Sequence, residues 1–103
     1  MINNAIIHNV ITNILEADET SSLAGIGMYL CNTSSKDDSV TIHAIESGAS
    51  ASATNTVVKD LVVAAGETYE FGAEKFLLED GERLAAKASA GNRISATITY
   101  TEI

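Results

Sequence analysis

In the stretch Arg93-Ile94-Ser95-Ala96-Thr97-Ile98-Thr99-Tyr100-Thr101-Glu102-Ile103, the residues Ile94, Ala96, Ile98 and Tyr100 share one parity. Ser95, Thr97, Thr99 and Thr101 share the other. Successive side chains of a strand point to opposite faces, so this segment is a ribbon with one apolar side and one hydroxyl-covered side. It reads as a half-buried antiparallel strand. Two turn signals precede it, Glu79-Asp80-Gly81 and Ala90-Gly91-Asn92. Asp80-Gly81 is the stronger and predicts a hairpin, because a two-residue hairpin turn needs positive φ and Asp and Gly tolerate it.

Further strand-like runs recur every 8 to 12 residues: 5–15, 25–32, 40–46, 56–59 continuing into 61–63, 67–71, 75–78, 82–89 and 93–103. Short strands at that spacing, separated by polar turns, predict an all-β protein. The expectation is a single antiparallel β-sandwich of about eight strands, jelly-roll-like or immunoglobulin-like. At 103 residues the chain has room for one core, so 1–103 is one domain, with 1–23 as a candidate N-terminal arm or edge strand. Helical turns fit least badly at Ile14 to Leu23 and at Phe71 to Glu79, and both are too short to hold without packing. Ala49 to Thr56 is small and polar and reads as a mobile loop.

Several runs are apolar on both parities. In the first, Ile7, Ile11 and Leu15 share one face while Ile6, Val10 and Ile14 share the other; Val57-Val58, Val62-Val63 and Phe76-Leu77-Leu78 repeat the pattern. A small sandwich has one interior, so a second apolar face needs another partner. The competing explanation is a local bulge that turns both sets inward.

Composition removes several classes of function. The formal net charge is -8, with six Lys and Arg scattered singly, which is the opposite of a phosphate-binding surface. No apolar run approaches the roughly 20 residues needed to cross a bilayer as a helix. Met1-Ile2-Asn3-Asn4 lacks the basic start of a secretion signal, so the expectation is a protein used without export. Cys31 is the single cysteine and reads as a small buried hydrophobe in a strand.

Chemistry-bearing motifs are weak. His8 and His43 are the only histidines, both expected in strands, and metal sites want more His or Cys than that. No Gly-x-Ser-x-Gly elbow occurs. Glu79, Asp80 and Glu82 cluster at one turn and Asp37-Asp38 at another, without the spacing of a calcium loop, and read as solvated turns. Gly25-Ile26-Gly27 lacks the third glycine of a nucleotide fingerprint and reads as close backbone approach or a bulge. No cofactor is expected.

The stretches Met28 to Ser34, Val40 to Ala44, Ala65 to Tyr69, Glu74 to Glu82 and Ala88 to Ile103 together resemble small structural proteins of tailed bacteriophages. The resemblance implies a compact β-sandwich that coats or connects parts of a virion, and it implies no catalytic residues. The functional expectation is therefore a non-enzymatic virion protein, most simply a capsid cement or decoration protein. Tail, neck or baseplate accessory roles are the alternatives, as is a receptor- or carbohydrate-binding module. Its expected partners are copies of itself, in a homo-oligomer such as a trimer, and the major capsid or other virion proteins; assembly would take place in the host cytoplasm. Ile6, Val10 and Ile14 are the expected contact residues, with Val58, Val62 and Ile103 behind them.

Overall fold

The structure, a computed structural model, describes residues 1–18, 22–71 and 76–103. Nine strands account for most of them: β1 (Ile2–Ile7), β2 (Thr12–Glu16), β3 (Leu23–Asn32), β4 (Asp38–Ile45), β5 (Thr56–Val63), β6 (Thr68–Phe71), β7 (Phe76–Leu78), β8 (Arg83–Ala88) and β9 (Ile94–Glu102). One sheet runs β1-β9-β3-β6, with β7 also paired to β3; the other runs β2-β8-β4-β5. Every pairing is antiparallel.

The pairs are nested in sequence. β1 pairs with β9, β2 with β8, β3 with β6 and β7, and β4 with β5. Such nesting describes one long antiparallel ribbon, folded at the β4–β5 connection and rolled so that successive rungs fall in alternate sheets. That is the jelly-roll arrangement of a β-sandwich, with β3's partner in the third rung split into β6 and β7. Of the two sandwich topologies expected, the strand order selects the jelly roll.

The repeat of β9 explains the core. Ile94, Ala96 and Ile98 are completely buried and face Val40, Ile42, Leu84, Ala86 and Ala88 of the opposing sheet. Each buried Ile there contributes on the order of 2–3 kcal/mol through removal of apolar surface from water. Ser95, Thr97 and Thr99 stay on the outer side, as the alternation requires.

Three sequence expectations change. The run 5–15 is two strands: His8 to Ile11 carry the chain from one sheet to the other, so His8 follows β1 rather than lying in it. The crossing turns Ile7, Ile14 and Leu15 into the shared core and leaves Ile6, Val10 and Ile11 exposed. The Asp80-Gly81 turn forms, with Gly81 at φ 75°, but it joins β7 and β8, which lie in different sheets. It is a crossover clasp, held by Ala17, whose N–H donates to the Glu82 carbonyl and whose carbonyl accepts from Gly81. Finally, the described residues at both candidate helical turns are strand or extended, and the remaining residues of those segments, 19–21 and 72–75, lie outside the described ones.

Bulges turn only part of the doubly apolar runs inward. The β4–β5 register shifts twice, between Val40 and Ile42 and between Ile42 and His43, so Val58, Leu61 and Val63 turn inward while Val57 and Val62 stay exposed. Leu77 stays exposed as well. A register shift in β3, between Gly25 and Gly27, places Ile26 outside as the extra residue, which matches the bulge expected at Gly25-Ile26-Gly27.

Two buried polar side chains tie the connections down. Asn32 donates to the carbonyls of Lys36 and Val63 and accepts from the N–H and hydroxyl of Ser34. Asp38 accepts from the N–H groups of Ser39, Ala90 and Gly91 at 2.9, 2.9 and 3.1 Å. On the outer side of the second sheet, Ile45 and Ala85 are buried outside the main core. The segment 46–55 folds back over this region: Arg83 donates to the Ala49 carbonyl, and His43 Nδ1 lies 2.9 Å from Asn55 Oδ1. A 3-10 turn at Ala53–Asn55 gives that loop internal structure.

Candidate interaction surface

The outer face of the first sheet is built by register. Thr101 pairs with Ala24, which pairs with Leu77; Thr99 lies between Ile2 and Gly27; Thr97 between Asn4 and Tyr29; Ser95 between Ile6 and Cys31. Ile26 projects from the bulge beside them. The result is a column of hydroxyls on β9, flanked by exposed Ile2 and Ile6 on one side and Ile26, Tyr29 and Leu77 on the other. Among the described residues with this orientation, the one charge is Glu70, paired with Tyr29. On a chain of net charge -8, the described residues of this face carry little charge.

The six residues expected at a contact are not brought together. Ile6 lies on this face, on edge strand β1. Val10 is exposed on the β1–β2 connection, and Ile103 is exposed beyond the end of β9. Val62 is exposed on β5, on the outer side of the other sheet, with Val58 half-buried against the core. Ile14 is 1% exposed and belongs to the molecule's own core, so it offers nothing to a partner. It shares parity with Ile6 in the sequence, but the sheet crossing at His8 to Ile11 breaks the shared face. Conversely, Ile2, Ile26, Tyr29 and Leu77 belong to the surface and are not among those six. The Gly25-Ile26-Gly27 bulge and the doubly apolar run Phe76-Leu77-Leu78 are the local signals pointing there.

The polar clusters have structural occupations. The Glu82 carboxylate accepts from the Glu79 N–H, and Asp37 accepts from Ala65, so these acids hold turns. Among the described residues, no three His, Cys, Asp or Glu side chains gather as a metal site would need. His8 Nδ1 lies 2.6 Å from Asn92 Oδ1, and His43 is nearly buried beneath Asn55 and Thr56. Neither is paired there with a nucleophile and an acid in the manner of a triad. Cys31 is half-buried on the outer face rather than in the core. Tyr29 and Tyr69 are both exposed but face opposite ways, since Tyr29 pairs with Glu70; Tyr69 packs on Phe71 with ring centroids 4.8 Å apart. They do not form one aromatic platform.

Asp38 carries the clearest electrostatic signature. Burial pushes its carboxyl pKa up, and the N–H groups of Ala90, Gly91 and Ser39, together with the Arg93 guanidinium, more than reverse this, leaving it below the ordinary carboxylate value. This is a structural clamp on the β8–β9 turn. Comparison with protein families, curated proteins and solved structures gives no match.

Proposed function

We propose that the chain is a non-enzymatic virion structural protein of the tailed-phage kind, most simply a capsid cement or decoration protein. It works by association with copies of itself and with other virion proteins. The observation that carries this reading is the sparsely charged outer face of the first sheet, where Ile2, Ile6, Ile26, Tyr29 and Leu77 are exposed on a strongly acidic molecule. Large apolar side chains exposed on both flanks of one sheet face favour a protein contact, and the surrounding negative charge opposes indiscriminate association. Jelly rolls also serve in viral shells, a likeness of fold that supports the reading only by analogy. Repeated over a symmetric particle, weak contacts gain strength through effective concentration.

The test is made on purified particles of the phage whose genome encodes this chain. Mass spectrometry is expected to find it in stoichiometric amount, and cryo-electron microscopy to place a two-layer β module on the shell. Particles from a deletion strain should open at lower temperature. Its absence from purified particles overturns the reading.

A further inference from the structure

A jelly roll leaves edge strands, and an exposed edge is a template for another chain unless it is blocked. Three of the edges here are blocked. β2 is interrupted by a register shift at Asn13 to Leu15 and ends in Glu16. β5 is kinked by two register shifts and carries Lys59 and Asp60, the latter at φ 52°. β6 and β7 are four and three residues long, and β6 carries Glu70. β1 has none of these devices. Its register against β9 is unbroken from Ile2↔Thr99 to Ile7↔Ile94, and its sequence, Ile-Asn-Asn-Ala-Ile-Ile, contains no charge and no proline.

The phase of the ladder identifies which backbone groups β1 offers. Met1 and Tyr100 exchange both bonds, the amino group donating to the Tyr100 carbonyl at 2.7 Å and the Tyr100 N–H to the Met1 carbonyl at 2.9 Å. In an antiparallel pair such exchange recurs at every second residue, so Asn3, Ala5 and Ile7 turn their backbone groups to β9. Ile2, Asn4 and Ile6 turn theirs to the open edge. A cleft of about 380 Å³ lined by Asn3, Asn4, Ala5, Asn13, Glu16 and Tyr100, among others, runs along this side.

We infer that β1 pairs antiparallel with β1 of a second copy about a twofold axis through Asn4, joining the two first sheets into one. The strand is self-complementary about that residue. Ile2 meets the partner's Ile6, Asn4 meets the partner's Asn4, and Asn3 meets the partner's Ala5. The three residues with free backbone groups all fall in hydrogen-bonded positions, and both isoleucine pairs lie on the outer face of the joined sheet. The self-complementary register selects a like copy, and the edge adds no repulsion of its own: two molecules of net charge -8 repel over most orientations, but β1 brings no charged side chain to the contact. The contact is isologous and closes at two, so any threefold association must use other surface. A six-residue edge is small, below the roughly 1,200 Å² of stable complexes, so the pair is weak in solution and strengthens in an array. This inference rests on the assembly reading above and names its edge.

The experiment uses the full chain, comparing sedimentation velocity and amide exchange at about 10 µM and about 1 mM, a range that brackets weak association. The expected result is a concentration-dependent dimer, with the Ile2, Asn4 and Ile6 amides gaining protection at the higher concentration. Ile6→Lys, whose side chain is outside the core, should weaken dimerisation at least tenfold, while Val62→Lys on the opposite sheet leaves it unchanged. Asn4→Pro removes an N–H that β9 does not use and should act like Ile6→Lys. A monomer at about 1 mM, a dimer indifferent to both β1 substitutions, or equal loss with Val62→Lys overturns the inference. If the edge fails while the chain is still found in particles, only the pairing is wrong. If the dimer forms and the chain is missing from particles, the functional reading is what falls.

Discussion

Asp38 and Gly91 together fix the β8–β9 turn. Asp38→Asn keeps the shape but replaces a carboxylate oxygen by an amide that cannot accept, so one of the backbone N–H groups loses its partner. The expected cost is about 1–3 kcal/mol, measured by denaturant unfolding near neutral pH. Because the folded carboxyl titrates below its unfolded value, its contribution is complete above about pH 4 and disappears as pH falls through the lower folded value. Thermal melts of the wild type should therefore converge on those of Asp38→Asn under acid conditions. At Gly91, φ is +87° and an added Cβ would lie 2.6 Å from the Asn9 backbone nitrogen, whereas at Gly66, φ +74°, it would meet open space. Gly91→Ala should thus destabilise clearly more than Gly66→Ala, which costs only about 1 kcal/mol for the left-handed conformation. The turn at Gly91 and Asn92 was legible, since turn chemistry is local, and both residues take positive φ there. The role of Asp38 was not, because its partners sit 52 and 53 residues away.

Among the elements, β9 was the most readable because its two faces meet different surroundings along nearly its whole length. That reading carries a direct check: Ile98→Ala should cost about 2–4 kcal/mol by urea denaturation, and the adjacent Thr97→Ala within about 0.5 kcal/mol. Equal effects would mean the parity is wrong. β1 and β2 were run together because nothing at His8 to Ile11 breaks the apolar pattern, with neither glycine nor proline to mark the crossing. β5 hides its irregularities in the same way. Asp60 takes a left-handed φ without any glycine to announce it, held in part by its N–H bond to the Thr41 hydroxyl. The β3 bulge, by contrast, showed itself through Gly25 and Gly27.

For the molecule as a whole, local patterns reveal the class of fold but leave the wiring open. The Asp80-Gly81 turn has the chemistry of a hairpin and serves as a crossover, since which sheet each flanking strand joins is decided by partners distant in sequence. The outer face of the first sheet has the same character, its exposed apolar residues drawn from β1, β3 and β7, so its members could be seen singly but not as a surface. Nested pairing makes nearly every rung long-range, the outermost joining Ile2 to Thr99. Folding should accordingly be slow for a chain of this size, on a scale of milliseconds to seconds by stopped-flow refolding. Successive rungs of the nested ribbon alternate between sheets, so neither sheet can open alone. Native-state hydrogen exchange of the core amides should then report one cooperative unit rather than two.

The mutual bonds of Met1 and Tyr100 bring residues 99 positions apart to one corner. A donor dye on residue 1 and an acceptor on residue 103 would sit within a few residues' reach while the roll is closed and fly apart when it unwinds. The molecule thus carries a ready-made ruler for its own integrity, usable even inside a crowded assembly where bulk spectroscopy is blind.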